Sequence, residues 1–165
     1  MTKKLTKREQ NRLAVAEALE SGEWTQKKYQ LGEIYEEKKY GCCLGVASYT
    51  VPKLGCYINS SGTMYARNKK DDCMPAYSSL ERETGIKQPI ADRLANLNDQ
   101  GVPFTLIAKL FRLKDVNKGV QEFYQTLMDS NYIQKGAKKV LYQNKTKRLR
   151  AWVDKFFEEH EAIVA

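Results

Sequence analysis

The sequence predicts an α+β fold, in which a mostly helical single domain carries a small β-hairpin and a C-terminal helical extension. Two patterns predict it. Apolar side chains recur every three or four residues through most of residues 78–128, and again through residues 149–160, as on the buried face of a helix. Residues 56–66 instead hold two short β-like runs on either side of the turn-forming stretch Asn59-Ser60-Ser61-Gly62.

Length and composition indicate a globular protein with its own hydrophobic core. Of 165 residues, 42% are hydrophobic and 29% are charged, which is a usual balance for a folded domain. No apolar run approaches the ~18 residues of a membrane span, and no apolar stretch typical of a signal peptide follows the N-terminus. We therefore expect a cytoplasmic protein without membrane contact. The formal net charge of +8 favours nucleic acid, nucleotides or acidic proteins as partners.

The first helix is predicted from its capping signal. Thr6 followed by Glu9 is a capping box, and Ser21-Gly22 is a typical helix end, so we place this helix over about residues 7–20. Residues 23–39 have no clear period. Short extended segments are predicted near Trp24. The charged stretch Glu36-Glu37-Lys38-Lys39 indicates a solvated turn or loop.

The stretch Tyr40-Gly41-Cys42-Cys43-Leu44-Gly45-Val46 is apolar and uncharged in a highly charged chain. Gly41 and Gly45 permit close approach of another backbone. Residues 43–50 fit a short buried helix, with a strand as the alternative. We interpret the segment as a buried packing hub that joins the Trp24 region to the helical half of the chain.

The thiols do not form a recognisable chemical site. The four cysteines, Cys42, Cys43, Cys56 and Cys73, lack the spacing of a zinc site, and the only histidine, His160, is far from them in sequence. A cysteine nucleophile usually needs a histidine or a helix N-terminus to lower its thiol pKa. We therefore expect no metal and no cofactor, and a cysteine-dependent enzyme is the least favoured alternative.

The second half of the chain is predicted to be helical. Ser78 followed by Glu81 fits a second capping box, Gly85 fits the end of that helix, and Pro103 is a typical helix start. The apolar stripes that follow are Ile90, Leu94 and Leu97; Phe104, Ile107, Ala108 and Phe111; Val120, Phe123, Tyr124, Leu127 and Met128; and Leu149, Trp152, Val153, Phe156 and Phe157.

These helices divide the chain in two in our interpretation. A core domain covers residues 1–115 and contains the Cys-Cys segment, and a helical extension covers residues 116–165. The last helix has one apolar face, which could join two copies of the chain in a homo-oligomer.

A helix-turn-helix DNA-binding regulator is the main alternative. Residues 94–110 hold two helical patterns around Gly101, residues 112–115 could form the next turn, and residues 118–128 could form a recognition helix. Residues 135–150 hold seven basic side chains and no acid, which could contact phosphates or simply form a solvated face. The residues that would contact nucleic acid are Lys118, Lys138, Lys139, Lys147 and Arg148.

Three segments together resemble a known group. They are Ala18-Leu19-Glu20-Ser21-Gly22-Glu23-Trp24-Thr25-Gln26, the Cys-Cys segment, and Leu97-Asn98-Asp99-Gln100-Gly101-Val102-Pro103-Phe104-Thr105-Leu106-Ile107-Ala108. They resemble small bacteriophage-encoded proteins with a Cys-Cys-Leu-Gly-Val core and a Leu-Asn-Asp-x-Gly helical pair. The resemblance covers roughly residues 15–110 and implies a phage origin and the cytoplasm of a host cell, but no particular activity. Gly41 and residues 116–165 depart from the group's pattern.

We therefore expect a phage accessory protein that acts by binding and not by catalysis. Its ligand would be an anionic nucleotide signal, or a host protein, sequestered during antiviral defence. Asn98 and Asp99 also fit ordinary turn chemistry at a helix end, and Trp24 also fits the core. The candidate ligand-binding residues are Trp24, Gln26, Lys27, Lys28, Tyr29, Arg93, Asn98 and Asp99.

Overall fold

The computed structural model describes residues 4–66, 75–133 and 147–164, and it confirms an α+β single domain. The helices are α1 (Lys7–Glu20), α2 (Cys43–Thr50), α3 (Tyr77–Thr84), α4 (Gln88–Asp99), α5 (Phe104–Phe111), α6 (Val116–Asp129) and α7 (Lys147–Glu159). The strands are β1 (Trp24–Gln26), β2 (Gly32–Tyr35), β3 (Lys38–Gly41), β4 (Cys56–Ile58) and β5 (Thr63–Ala66). A short 3₁₀ turn, Pro52–Leu54, follows α2.

Helix α1 begins and ends as predicted. The backbone N–H of Glu9 donates to Thr6 Oγ1 (3.2 Å), and the Glu9 carboxylate accepts from the Thr6 N–H (2.7 Å), so the capping box is confirmed. The second capping box is wrong, because α3 starts one residue earlier than Ser78, after Ala76, which has no capping side chain. Gly85 does end α3, with a φ of 76°.

Arg12 joins α1 to the ends of two other helices. Its side chain is almost fully buried, and its guanidinium donates to the carbonyl oxygens of Thr84 (2.8 Å), Phe111 (3.2 Å) and Leu113 (3.2 Å). Carbonyl groups at helix ends lack hydrogen-bond donors within the helix, and the Arg12 guanidinium provides those donors. Burial lowers the pKa of the guanidinium. One charged side chain thereby holds α3 and α5 against α1.

The β-structure is larger than the sequence predicts. The hairpin over residues 56–66 is confirmed as β4–β5, but residues 24–41 supply three further strands. In the described part of the chain these strands form a five-stranded sheet in the order β1-β3-β2-β5-β4. β1 and β3 are parallel, and the other neighbours are antiparallel.

The predicted loop at residues 36–39 is therefore wrong in extent. Glu36 and Glu37 form the turn, whereas Lys38 and Lys39 belong to β3. Both glutamates have positive φ angles (47° and 67°), as a two-residue hairpin turn requires. Such turns usually contain Asn and Gly, so Glu-Glu gives no hairpin signal in the sequence.

The C-terminal helices pack on the rest of the core. Helix α6 lies against α4 and α5, and the Phe123 ring on α6 contacts Trp152, Phe156 and Phe157 on α7 at centroid distances of 5.2–5.9 Å. The apolar face of α7 is thus used within the chain, and its role in a homo-oligomer stays a prediction. Among the described residues, no helix is long and apolar enough to cross a membrane.

Candidate functional site

The structure brings most of the predicted ligand-binding residues together, but mainly in hydrogen bonds to each other and to the backbone. We call this hydrogen-bond network around Asn98 the brace. Asn98, at the end of α4, is fully buried. Its Nδ2 donates to the Lys27 carbonyl oxygen (2.7 Å), and its Oδ1 accepts from Gln26 Nε2 (3.1 Å) and from the Cys43 N–H (3.2 Å). One amide therefore connects β1, the start of α2 and the end of α4.

Neighbouring residues extend this network. Gln26 Nε2 also donates to the Val102 carbonyl oxygen (2.8 Å), and the Tyr29 N–H donates to Asp99 Oδ1 (2.9 Å). That bond holds Tyr29 at a φ of 64°, in the left-handed region. Lys27 forms an ion pair with Glu33. These contacts use the polar atoms that were predicted to meet a ligand, so they favour the turn-chemistry interpretation of Asn98 and Asp99.

Trp24 lies in the core beside the Cys-Cys segment. Its ring meets Tyr49 edge-on at 5.2 Å, and Gly41 leaves room for it. Lys28 is half-buried in the loop between β1 and β2. The Cys43 N–H donates to Asn98 Oδ1, so the Cys-Cys segment connects the Trp24 region to the helical half of the chain. Its interpretation as a buried packing hub is confirmed.

The Cys43 thiol is placed to be inert. It is fully buried and lies 3.5 Å from the Leu94 carbonyl oxygen. Burial raises the pKa of the Cys43 thiol well above its ordinary value, and burial also raises the pKa of Cys56 to about 11. A neutral, enclosed thiol is a poor nucleophile. Cys73 lies outside the described residues.

We expect the free energy of unfolding to fall as the pH rises above about 9.0, the ordinary pKa of a thiol here. Above that pH the unfolded chain loses the Cys43 proton while the folded protein keeps it, which favours unfolding by roughly 1.4 kcal/mol per pH unit. Urea titrations at pH 8, 9 and 10 measure the slope. In Cys43→Ala the decline should be shallower by that amount, and identical slopes would contradict the prediction.

Arg93 lies apart from the Asn98 network, in a groove between α4 and α6 of about 590 Å³. Arg93 and Asn96 are one turn apart on α4, so they share a helix face. Across from them α6 supplies Tyr124 and Met128. The Arg93 guanidinium carbon lies 5.5 Å from the centre of the Tyr124 ring, and burial raises the pKa of the Tyr124 phenol.

Two polar atoms in this groove are unsatisfied. Arg93 Nε and Asn96 Oδ1 are buried, and neither has a hydrogen-bond partner among the described residues. The Arg93 Nη1 atom does donate to the Pro89 carbonyl oxygen (2.8 Å), which fixes the guanidinium along the helix. A buried polar atom without a partner is rare and costs about 1–3 kcal/mol. Both atoms are closed to solvent as the side chains lie, so a bound molecule could satisfy them only after Arg93 and Asn96 turn toward the groove.

Sequence reasoning found Arg93 but missed the rest of this groove. Tyr124 and Met128 continue the apolar stripe of α6 and were interpreted as core, which is confirmed, but both also line this groove. Only the packing of α6 on α4 places them opposite Arg93 and Asn96. The available signal was a tyrosine, which needs a polar partner for its hydroxyl, within an otherwise aliphatic and phenylalanine stripe.

The candidate DNA-recognition helix lies within α6, where Lys118 is exposed next to Glu122 and near the end of the described chain. Lys118 lies 3.9 Å from Glu122 on α6, and Glu122 in turn accepts from His160 Nε2 (2.6 Å). The Ile163 N–H donates to the Arg112 carbonyl oxygen (2.7 Å), so the chain end lies over the predicted turn.

The other candidate nucleic-acid contacts lie elsewhere or outside the described part of the chain. Lys147 and Arg148 are exposed at the start of α7. Lys138 and Lys139 lie outside the described residues. The predicted helices and turn do occur as α4, α5, residues 112–115 and α6, and DNA binding by a helix-turn-helix regulator stays an untested alternative.

The part of the chain that the structure describes contains no group of three or more His, Cys, Asp or Glu side chains placed to hold a metal ion. The chain matches no protein-family model, no curated protein and no solved structure. The resemblance to phage proteins consequently stays a prediction.

Proposed function

We propose that the protein binds an anionic ligand of the nucleotide class in the α4–α6 groove, and that it acts by binding rather than catalysis. The observation that carries this proposal is the pair of unsatisfied atoms, Arg93 Nε and Asn96 Oδ1, in one groove. A phosphate accepts from a guanidinium, and a nucleobase amino or imino group donates to an amide oxygen. One ligand can satisfy both once these two side chains turn toward it.

The remaining walls are mixed: Asp92, whose carboxylate accepts from Tyr77 Oη (2.6 Å), also lines the groove and disfavours a phosphate next to it, whereas the other side chains suit the ligand. The half-buried Met128 thioether provides polarisable apolar surface against which a base can pack, while the buried Tyr124 ring lies beneath the Arg93 guanidinium. The neutral Tyr124 phenol adds no negative charge that would repel a phosphate. The chain's net charge of +8 attracts anions to the protein from solution.

The biological role that we attach to this binding is sequestration of a nucleotide signal in the cytoplasm of an infected host cell. Its supports are the resemblance to small phage proteins and the buried, neutral state of the Cys43 thiol, which does not favour a cysteine enzyme. A sequestering protein needs affinity and cellular abundance, and it needs no catalytic group.

Thermal shift and calorimetry against mono-, di- and cyclic nucleotides test the proposal. At a ligand concentration 100 times its Kd, we expect about 2.7 kcal/mol of added stability. Arg93→Gln should weaken binding by about 1.5–3 kcal/mol, since it removes a charged hydrogen-bond donor. Arg150→Gln, which removes the same charge from an exposed site on α7 that does not line the groove, should leave the affinity unchanged.

Asn96→Leu provides a second, independent sign of a binding site. In the free protein it removes a buried unsatisfied acceptor, so its stability should be equal to or higher than that of the wild type. In the presence of the ligand it should lose affinity. The proposal fails if no nucleotide stabilises the protein, or if Arg93→Gln and Arg150→Gln bind equally well.

A further inference from the structure

The outer face of the sheet carries a cluster of tyrosines, separate from the groove. On β5, Met64 and Ala66 are buried, so Thr63 and Tyr65 point to the opposite face. Tyr57 pairs with Tyr65 across β4 and β5. Residues paired across strands share a face, so Tyr57 lies on that outer face as well.

The same register extends the cluster to the other strands. Glu33 pairs with Thr63 on one side and with Tyr40 on the other, which places Tyr40 on the outer face. Tyr35 lies two residues beyond Glu33 on β2 and therefore points the same way. The outer face, defined here by Tyr35, Tyr40, Tyr57 and Tyr65, thus collects four of the chain's ten tyrosines.

Two of these four rings are largely open to solvent. Tyr35 is 62% exposed and Tyr57 is 57% exposed, whereas Tyr40 and Tyr65 are half-buried. A tyrosine ring combines a flat apolar surface with a hydroxyl that tolerates water. The sheet holds the backbone of the four tyrosines at fixed spacings. Binding of a flexible ligand to them therefore costs less free energy for ordering the protein.

We propose that this face binds single-stranded nucleic acid, with bases stacked on the tyrosine rings. Every base has a flat π-face, so stacking on aromatic side chains works without a fixed sequence. Unpaired strands expose those faces, whereas a duplex hides them. Two cations lie on this face: Lys38 is exposed opposite Tyr35, and Lys27, which is already paired with Glu33, has its Nζ 5.9 Å from the centre of the Tyr40 ring.

The charge pattern of the face limits how much of the binding is electrostatic. Lys27 is paired with Glu33, and Glu36 and Glu37 lie in the turn beside Tyr35. Contact with about two phosphates gives a slope of log K against log salt near −1.4. Stacking, which depends weakly on salt, supplies the rest of the affinity.

Fluorescence anisotropy with labelled oligo-dT and oligo-U of about 15 nucleotides, and with a duplex of equal length, tests the proposal. We expect the single strands to bind more tightly than the duplex at low salt. Tyr35→Ala and Tyr57→Ala should each weaken binding roughly five- to 150-fold, while Tyr35→Phe and Tyr57→Phe keep the ring and bind like the wild type.

The matched control is Tyr49→Ala. Tyr49 is also exposed (41%), but it lies on α2 beside the buried Trp24 ring, on the other side of the sheet. It should bind oligonucleotides normally, as should Arg150→Gln, which removes an exposed positive charge on α7 away from this face. Melting curves of each variant check that it is folded.

Absence of single-strand binding at low salt overturns the proposal, as does equal affinity for the duplex. Equal affinity of the wild type and the folded alanine variants also overturns it, because charge alone would then explain binding. Self-association that Tyr35→Ala and Tyr57→Ala abolish, without any oligonucleotide binding, would assign the face to a second copy of the chain instead.

Discussion

Gly45→Ala is expected to lower the free energy of unfolding by more than about 4 kcal/mol, which is a large fraction of the stability of a typical domain. A Cβ atom at Gly45 would lie 1.8 Å from the Leu31 carbonyl oxygen and 2.8 Å from its carbon. Both are backbone atoms, so no side-chain rotation can relieve the clash. The Leu31 oxygen also accepts from the Cys42 N–H (3.0 Å), and moving it would break that bond.

Gly119→Ala is the matched control for this effect. Gly119 also lies in a helix, and a Cβ there would lie 2.3 Å from Cδ1 of Leu113, a side-chain atom that can move. Both substitutions gain roughly 1 kcal/mol of helix propensity, so their difference isolates the clash with backbone. Urea unfolding followed by circular dichroism measures it. Equal tolerance of the two substitutions would contradict our account of the Cys-Cys segment.

Asn98→Asp is expected to destabilise the protein by about 3 kcal/mol or more, although it changes the side-chain volume very little. The change replaces the donor to the Lys27 carbonyl oxygen by an acceptor and places a negative charge in a fully buried site beside Asp99. A buried charge without a compensating partner is strongly destabilising. Burial raises the pKa of such a carboxyl group, so the loss should shrink as the pH falls.

Asn131→Asp serves as the control: Asn131 is exposed just after α6, at a φ of 59° that Asp also adopts, and the new charge at the helix end should cost no more than about 1 kcal/mol. Thermal and urea unfolding of both variants at pH 5 and pH 8 make the comparison. If Asn98→Asp is as stable as the wild type, the Asn98 hydrogen bonds do not stabilise the fold, and a ligand-binding role becomes the better explanation of Asn98.

The outcome for the predicted site residues has one physical cause. The motif residues Gln26 and Asn98 are polar and occur beside apolar segments, a pattern that also marks binding sites. Their amides instead satisfy buried backbone groups at the junction of β1, α2 and α4. The same polar residue types occur in structural hydrogen-bond networks and in ligand-binding sites. Only the positions of their hydrogen-bond partners distinguish the two roles.

Local signals alone determined several elements of this protein. The capping box at Thr6 and Glu9 and the glycine after α1 fix that helix, because both ends are set by contacts within four residues. The buried helix at residues 43–50 and the hairpin at residues 56–66 also follow from short patterns. These elements form from interactions between near neighbours in the chain, which a sequence displays directly.

The tertiary structure alone decided the sheet, the brace and the groove. β1 pairs with β3 across two intervening turns, and Arg12 and Asn98 bond to carbonyls 71 to 101 positions away. The unsatisfied atoms of Arg93 and Asn96 become notable only once α6 buries them. Residue types and spacing specify which groups need partners. The partner of each polar group, and the set of polar groups that stay without one, depend on how distant segments pack together. The sequence does not display that packing.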